Sequence, residues 1–396
     1  MNRVIVAGAS TRAAAESAAR AGYDVTSFDG YGDLDQHPSV RVISLPRDVG
    51  VPFTARAAAR ASRSVEADAV AYLSSFENHP HAVRSLAAGR TLWGNSPEVL
   101  RRVRDPFLLA DALKRRGFAT PSLGSGPRPD PRPGPRPAPG PAPELLLKPL
   151  RSGGGRGIRR WTSEARIPRG YYLQELIPGT PASIVFVAAA GRAVPLGLSR
   201  QLIGEPAFGA SGYRYGGNIL APSGDTEIDL ITSLAYRLAQ SVAEEFQLVG
   251  VNGIDLIVRN RQAYAIEVNP RWSSSMELVE LAYGLSVFGL HAAACARGEL
   301  PTFDLNSARR TRRAYGKAIV FAREDSIVGD TRTRAIDPTM RDVPHPGEHI
   351  ARGQPICTVF AVGDDVRQCE AALAARAARV DAEIMVKTLE PGRATK

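Results

Sequence analysis

Two carboxylates and an amide lie in two neighbouring strand-like runs of this 396-residue chain. Asp255 lies in the first apolar run, and Glu267 and Asn269 lie in the second, after a polar Arg-Asn-Arg turn. Side chains alternate across a strand, so Glu267 and Asn269 share a face that Asp255 on the paired strand can join. Their oxygens suit Mg²⁺, and the guanidinium of Arg271 suits phosphate oxygens. The pattern predicts a site for Mg²⁺ bridging phosphates, with a solvated strand face as the alternative interpretation.

A lysine followed by a glycine-rich turn forms a second pattern. Lys148 ends an apolar strand-like run, and Gly153, Gly154 and Gly155 follow it. Glycines let backbone N–H groups converge on an anion, and an ammonium group supplies a point charge for phosphate oxygens. The turn lacks the Gly-Lys-Ser/Thr ending of a P-loop and is not a dinucleotide fingerprint. Because the carboxylate hairpin follows further along the chain, we predict a nucleotide-phosphate site.

The order of these motifs resembles the ATP-grasp superfamily of carboxylate–amine ligases. Between the glycine turn and the Glu-Val-Asn-Pro-Arg hairpin lies a segment that resembles the superfamily's strand between lobes, and it consists of Gln174, Glu175, Leu176 and Ile177. The resemblance covers roughly residues 1–300. It is nearest to the branch that contains tyramine–glutamate ligase and the lysine-ligating enzyme of pyrrolysine synthesis. The basis for that branch is Ser-Arg-Gln-Leu at 199–202 and Tyr-Gly-Gly-Asn at 215–218.

The resemblance implies a two-step reaction that uses ATP and Mg²⁺. A substrate carboxylate attacks the γ-phosphoryl group to give an acyl phosphate, and an amine then displaces phosphate to form an amide. Glu267, Asn269 and Asp255 would hold the metal, and Arg271 would contact the phosphoryl group. Lys148 and the glycine turn would hold phosphates, and the segment 174–177 would meet the adenine edge. No acidic residue follows that segment where the family places its ribose contact.

Five residues are candidates for the carboxylate or amine pocket. Arg200, Gly216, Gly217 and Asn218 are the candidates that the branch resemblance suggests. Ser10 ends a Gly-Ala-Ser turn that opens a helix N-terminus, which suits a carboxylate. For Arg200 the alternative is a surface ion pair, and for the turn at Ser10 it is a tight connection without a ligand.

Charge and composition restrict the partners. The formal net charge is +10, but arginines are spread along the chain, so we expect anionic small molecules and no nucleic acid. No apolar run has the length of a membrane span, so no membrane partner is expected. The three widely spaced cysteines predict a reducing, cytoplasmic environment. The expected partners are a small-molecule carboxylate and an amine, and a homodimer is compatible with the sequence.

The predicted fold class is α/β and α+β, an ATP-grasp fold with an N-terminal Rossmann-like domain and a C-terminal capping unit. The predicted boundaries are 1–105 for the Rossmann-like domain, 106–144 for a helix and proline-rich linker, 145–300 for the ATP-grasp domain with lobes at 145–180 and 182–300, and 310–396 for the α/β cap. Prolines between 124 and 143 exclude helix and sheet there. The alternatives to a ligase are a carboxyphosphate-forming, carboxylase-like enzyme and a non-catalytic nucleotide-binding module.

Overall fold

The computed structural model describes residues 2–124, 143–162, 166–310 and 313–387. The predicted proline-rich linker falls largely on residues 125–142, outside the described residues.

The N-terminal unit is a parallel sheet with helices around it. Its strands are β1 Arg3–Ala7, β2 Asp24–Asp29, β3 Val40–Ser44, β4 Ala69–Tyr72 and β5 Thr91–Trp93. Its helices are α1 Arg12–Arg20, α2 Ala55–Ala61, α3 Pro80–Leu86, α4 Pro97–Val103 and α5 Pro106–Arg115. All strands pair in parallel, as expected of the predicted Rossmann-like sheet, and their order is β3-β2-β1-β4-β5. Loops at the carboxyl edge of such a sheet are where ligands bind in open α/β folds, and here they contact the rest of the molecule.

Helices α4 and α5 are both capped, and only two residues, Arg104 and Asp105, lie between them. The Ser96 hydroxyl accepts from the backbone N–H of Val99 and starts α4. The Asp105 carboxylate accepts from the first N–H groups of α5. Each helix has a proline at its first position, where the missing N–H costs nothing. The two caps therefore fix the backbone of Arg104 at the corner between the helices.

A small antiparallel sheet follows. Its strands are β6 Leu123–Gly124, β7 Leu145–Pro149, β8 Arg159–Arg160 and β9 Tyr171–Glu175, in the order β6-β9-β7-β8. Lys148 lies opposite Tyr172, and Leu146 lies opposite Gln174. Since side chains alternate, Lys148 and Gln174 project from the same face of this sheet.

The remaining chain builds one large antiparallel sheet and a small one. The strands are β10 Thr180–Ala189, β11 Arg192–Ile203, β12 Tyr215–Leu220, β13 Gly250–Arg259, β14 Gln262–Asn269, β15 Ala314–Phe321, β16 Ser326–Val328, β17 Met340–Arg341, β18 His349–Ile350, β19 Pro355–Gly363 and β20 Met385–Lys387. The helices are α6 Thr226–Phe246, α7 Ser275–Tyr283, α8 Val287–Arg297, α9 Leu305–Arg309 and α10 Val366–Ile384. The large sheet has the order β14-β13-β10-β11-β12-β15-β19-β17, and the small one β18-β16-β20.

The large sheet runs across the boundary predicted near residue 310. Strand β12 of the predicted ATP-grasp domain pairs with β15 of the predicted cap, and β15 pairs with β19. The side chains of Ile219, Ala318 and Val359 share one buried apolar cluster on this part of the sheet. The C-terminal unit therefore continues the central sheet and does not form a sheet of its own at this boundary.

Residues Gly216–Asn218, which the sequence places in a glycine-rich loop, belong to β12. Gly217 has φ 148°, and a Cβ there would lie 2.1 Å from the Lys317 carbonyl oxygen on β15. The glycine is thus required by the close approach of two strands, which is a recognised use of glycine within a sheet. A run of glycines resembles a loop in sequence because both need the same backbone freedom.

Helix α6 covers one face of the sheet with a continuous apolar stripe. Ile228, Ile231, Leu238 and Val242 are fully buried there, at the spacing expected of an amphipathic helix. Within the described ranges, no single helix is long and apolar enough to cross a membrane. Only the consecutive helices α7 and α8 together reach that length and composition, and they meet at 108°.

Candidate active site

The hairpin of β13 and β14 brings the predicted metal ligands together. Its turn residues Asn260 and Arg261 both have positive φ, 50° and 62°, as a two-residue hairpin turn requires. Asp255 lies directly opposite Glu267, and Gly253 lies opposite Asn269. The two carboxylates and the amide therefore share one face, as predicted.

The alternation of β14 is not continuous, however, because a bulge interrupts it. Ala263 and Ala265 face the apolar core, and so does Val268. The pairing register shifts between Asp255 and Leu256, so one extra residue, Ile266, stands in β14. The bulge places Glu267 on the face opposite to Ala265, although the two residues are separated by a single position.

Two amide groups hold the Asp255 carboxylate beside Glu267. Its two oxygens accept from Asn269 Nδ2 at 3.0 Å and from Gln201 Nε2 at 2.8 Å. Burial raises the pKa of Asp255, and the negative charge of Glu267 raises it further, to about 6. Two half-buried carboxylates that repel each other and an amide form a donor set that Mg²⁺ would stabilise. For Asn269 to offer its oxygen to an ion beside Asp255, its amide group has to turn over.

No group of three or more His, Cys, Asp or Glu residues in the described part of the chain is placed to hold a metal ion. The hairpin thus supplies two carboxylates and one amide, and other oxygens have to complete a coordination shell. That is the usual arrangement for Mg²⁺, which is commonly held by one or two carboxylates together with substrate phosphates and water.

Glu267 has a partner that the sequence did not indicate. Nη1 of Arg104 donates to Glu267 Oε1 and, at 3.0 Å, to the carbonyl oxygen of Val268. Although burial raises the pKa of Glu267, the positive charges of Arg104 and Lys148 lower it below its usual value. The two carboxylates of the pair are therefore neutralised unequally, with Glu267 the more strongly charged.

Arg271 is held by a carboxylate from the N-terminal unit. Its Nε and Nη2 both contact Glu77 Oε1, at 2.9 and 2.8 Å, and its Nη2 also donates to Asn269 Oδ1 at 3.2 Å. Nη1 donates to the carbonyl oxygen of Trp272. Glu77 is 2% exposed. The guanidinium is thus fixed beside the predicted metal ligands, with few N–H groups left for a substrate.

Lys148 projects into the same region from the small sheet. It is 5% exposed, and its Nζ donates to Gln174 Oε1 at 3.1 Å. Burial lowers the pKa of Lys148, while the charges of Glu267 and Asp255 raise it. A desolvated ammonium group with one neutral partner is well suited to bind an anion.

The glycine turn after Lys148 lies close against the loop that precedes β12. Gly154 and Gly155 have φ 63° and 76°, and a Cβ on Gly155 would lie 1.8 Å from the Tyr213 carbonyl oxygen. The backbone N–H of Tyr215 donates to the Gly154 carbonyl at 3.1 Å. The carbonyl of Ser152 accepts from the N-terminal unit as well. The turn is therefore in a closed position over the cluster, and only glycine permits the contact at position 155.

The predicted adenine segment lies at the end of β9. The Glu175 carboxylate accepts from the backbone N–H of Ser122 at 3.0 Å, and the N–H of Leu176 donates to the Glu144 carbonyl. Ile177 is 6% exposed. The side chain of Glu175 thus already has a backbone partner, Ser122, in the segment just before β6. The apolar side chain of Ile177 is buried in the protein.

The structure does not bring Arg200 to the cluster. Its Nε and Nη2 form two 2.7 Å bonds with the Asp225 carboxylate, and Nη1 lies 3.0 Å from Glu227. The next residue, Gln201, reaches Asp255. Because side chains alternate along β11, only one of the two can face the site, and the polar but uncharged Gln201 does so.

The other predicted substrate residues are distributed differently. Asn218 lies on the same face as Asp255, but its amide is saturated by Ser183, Ser199 and Tyr215. Ser10 is exposed, while the N–H groups of Gly8, Ala9 and Thr11 around it already donate to protein acceptors. The Gly-Ala-Ser turn thus offers fewer free donors than its position at a helix start suggests.

An open cleft of about 350 Å³ lies elsewhere, between α1, α7 and the C-terminal unit, and its lining includes Glu16, Arg20, Glu280, Arg341 and Phe360. The polar groups that line it include the Glu280 carboxylate, which is bonded by Ser17 and Arg20. The Asp255 cluster remains the candidate active site, because carboxylates and cations converge there.

Known proteins resemble the part of the chain that carries this cluster. A family model described as the ATP-grasp domain matches residues 103–275. An uncharacterised protein of Methanocaldococcus jannaschii is 29% identical over 280 residues. That match covers 68% of this chain, and the chain spans 63% of the length of that relative.

Solved structures share the fold at low identity. The biotin carboxylase domain of Hydrogenobacter thermophilus 2-oxoglutarate carboxylase, crystallised with MgADP, ADP and bicarbonate, has a TM-score of 0.71 at 16% identity, covering 97% of this chain and 90% of that one. An L-amino acid ligase from Bacillus licheniformis has a TM-score of 0.65 at 16% identity, covering 98% and 99%. An N5-carboxyaminoimidazole ribonucleotide synthetase has a TM-score of 0.65 at 16% identity, covering 96% of this chain and 95% of that one. The protein has the ATP-grasp fold, and residues 103–275 are the part that matches the model of the ATP-grasp domain.

Proposed function

We propose that the protein is an ATP-dependent ligase that joins a small carboxylate to an amine through an acyl phosphate, releasing ADP and phosphate. The observation that carries this is that Lys148 and Arg271 approach the hairpin face that bears Asp255, Glu267 and Asn269. Phosphoryl transfer requires charge neutralisation and positioning more than covalent participation by the protein. This cluster supplies both.

The residues take separate roles in the proposed reaction. Glu267, Asn269 and Asp255 would hold Mg²⁺, which neutralises charge on the β- and γ-phosphates. Lys148 binds phosphate oxygens from the small sheet. Arg271, oriented by Glu77, contacts the transferring phosphoryl group and then the acyl phosphate. The closed glycine turn keeps water from that intermediate.

The substrate class follows from the branch that the motifs resemble. We propose an amino acid such as glutamate as the activated carboxylate and a primary amine as the nucleophile. The reducing, cytoplasmic setting that the three widely spaced cysteines predict is part of this proposal.

Hydroxylamine trapping tests the proposal. An acyl phosphate reacts with hydroxylamine to a hydroxamate, so the purified protein is incubated with MgATP, hydroxylamine and one amino acid at a time. We expect hydroxamate and ADP in equal amounts with one carboxylate. Lys148→Ala should lose the product, whereas Lys114→Ala, which alters an exposed lysine of α5, should retain it.

Two other outcomes would replace the proposal. ADP release that depends on bicarbonate, with no hydroxamate from any amino acid, would indicate a carboxyphosphate-forming enzyme. Binding of MgATP without ADP release under any condition would indicate a nucleotide-binding module.

A further inference from the structure

Arg104 is the residue at which three parts of the molecule meet. Its Nη1 contacts Glu267 and Val268 on β14. Its Nη2 donates to Asn78 Oδ1 in the N-terminal unit at 3.0 Å and to the Ser152 carbonyl at the start of the glycine turn at 3.2 Å. The guanidinium therefore touches a predicted metal ligand and the phosphate-binding turn at the same time.

The contacts of Arg104 within the described part of the protein leave one of its buried N–H groups unpaired and a second cation nearby. Its side chain is 10% exposed, yet its buried Nε has no hydrogen-bond partner among the residues that the structure describes. An unpaired buried donor costs free energy. Lys148 is close enough for the two positive charges to act on each other, and Arg104 lowers the pKa of Lys148 together with burial. An anion between these two cations would relieve both conditions.

We propose, on the basis of the proposed function, that Arg104 binds the terminal phosphates of a nucleoside triphosphate and that in the nucleotide-free protein it serves as the counter-ion of Glu267. When the nucleotide arrives with its divalent cation, the cation takes over the charge of Glu267. The guanidinium of Arg104 then bonds to the phosphate oxygens instead of Glu267. Arg104 and Glu267 each have a partner of opposite charge in both states, which matters because an unpaired charge is costly at a buried site.

The exchange also links closure of the glycine turn to the nucleotide. Arg104 holds the Ser152 carbonyl, so movement of its guanidinium toward phosphate acts directly on the turn that covers them. Asn78 bonds both Arg104 and the same carbonyl. The corner between α4 and α5 thus connects the N-terminal unit, the turn and the hairpin.

Two binding measurements of opposite sign test this. Calorimetry with ATP should show that Arg104→Ala weakens binding by about tenfold or more, the loss expected for a charge-assisted contact. Thermal denaturation with Mg²⁺ alone should show the reverse. The wild type should be unaffected by the ion, because Arg104 occupies Glu267, whereas Arg104→Ala should bind Mg²⁺ about tenfold more tightly and be stabilised by it.

The matched control is Arg101→Ala, which removes an exposed arginine of α4 that contacts Glu98 and should behave as the wild type in both measurements. If Arg104→Ala does not fold, Arg104→Lys retains the charge but not the fork, and it should weaken ATP binding with the same control. Equal ATP affinity in the variant and the wild type, or equal Mg²⁺ affinity, refutes the proposal for Arg104. Failure of the wild type to bind ATP refutes the proposed function itself and this inference with it.

Discussion

Asp255 and Glu267 differ in how their negative charges are compensated. Arg104 and Lys148 lower the pKa of Glu267 against the effect of burial. Asp255 has two amide donors and no bonded cation, and its pKa rises to about 6. A divalent ion between the two carboxylates would compensate Asp255 most, because Glu267 already has a guanidinium partner. The weaker acid of the pair is therefore the one that gains most from the metal.

The first prediction concerns Glu267. Glu267→Gln keeps the size of the side chain but removes one metal carboxylate, so several kcal/mol of transition-state stabilisation should be lost. The rate of Mg²⁺-dependent ADP formation should therefore fall roughly a thousandfold. A coupled assay for ADP measures the rate. The control Glu244→Gln changes an exposed carboxylate that pairs with Arg116 and should retain activity. A folded Glu267→Gln protein with near-normal turnover would contradict the assignment.

At the scale of elements, the strands that carry the site were predictable and the elements that complete it were not. Glu267, Asn269 and Lys148 lie on strands whose local sequence shows both the strand and the chemistry. Arg104 lies between two helices, and Glu77 lies in the short 3-10 helix Phe76–Asn78 after β4. Nothing in their neighbouring residues indicates a partner so far along the chain. Only tertiary packing brings them to the hairpin.

Gln201 is an intermediate case. Its position one residue after Arg200 was visible, and period-2 alternation requires that only one of the two face Asp255. The charge of Arg200 suggested the wrong choice, because Asp225 at the start of α6 compensates that charge on the other face. Pairing Arg200 with the helix-capping Asp225 in advance would have left Gln201 as the residue that faces Asp255.

The second prediction separates two glycines of the turn. Gly155→Ala places a Cβ 1.8 Å from the Tyr213 carbonyl at φ 76°, whereas a Cβ at Gly153 meets nothing within 4 Å. Gly155→Ala should destabilise the closed turn by about 1–3 kcal/mol. Limited proteolysis in the turn reports its opening, which should accelerate in Gly155→Ala and not in Gly153→Ala. Equal cleavage of the two variants would show that the turn is not held against Tyr213.

The third prediction concerns pH and α8. Burial lowers the pKa of His291 to about 4, and its Nδ1 accepts from the N–H of Val251 at 3.0 Å. The unfolded chain takes up this proton near the ordinary pKa, but the folded chain does not, so stability present at neutral pH is lost as pH falls from about 6.5 to 4. The loss from this group is roughly 3 kcal/mol.

Denaturant unfolding at several pH values measures this. His291→Gln should be less stable than the wild type at pH 7, and its stability should fall less steeply on acidification. His349→Gln, which alters an exposed histidine, should follow the wild-type slope. Parallel slopes for the wild type and His291→Gln would mean that His291 is protonated in the folded protein.

At the scale of the whole molecule, the predicted separation of the cap is the point on which sequence and structure differ most. The arginine-rich run at 309–313 suggests a linker between domains, and residues 311 and 312 lie outside the described residues. Strand pairing between β12 and β15 depends on contacts between distant parts of the chain, which local patterns do not record. Ile219 and Leu202 are buried on the same cluster as Val320 and Ile356 from beyond the boundary.

The fourth prediction follows from this shared sheet. A protein that ends at residue 309 loses the partner strand of β12 and exposes that apolar cluster, so it should not fold cooperatively. Near-ultraviolet circular dichroism and urea unfolding of the shortened chain, compared with the full chain, measure this. A cooperative transition at a similar urea concentration in the shortened chain would contradict this and show that residues 1–309 fold without β15.

The bulge at Ile266 allows one residue of β14 to be lost or gained during evolution. On the turn side of the bulge, Leu256 pairs with Ala265, and on the site side Asp255 pairs with Glu267. Loss of the residue between them would leave every one of these pairs in place, so neither the core face nor the polar face would change its register. An insertion or deletion inside a strand normally exchanges its two faces, whereas this position tolerates one. Alignments of distant relatives should therefore permit a single-residue gap in the middle of β14, where gap penalties would usually forbid it.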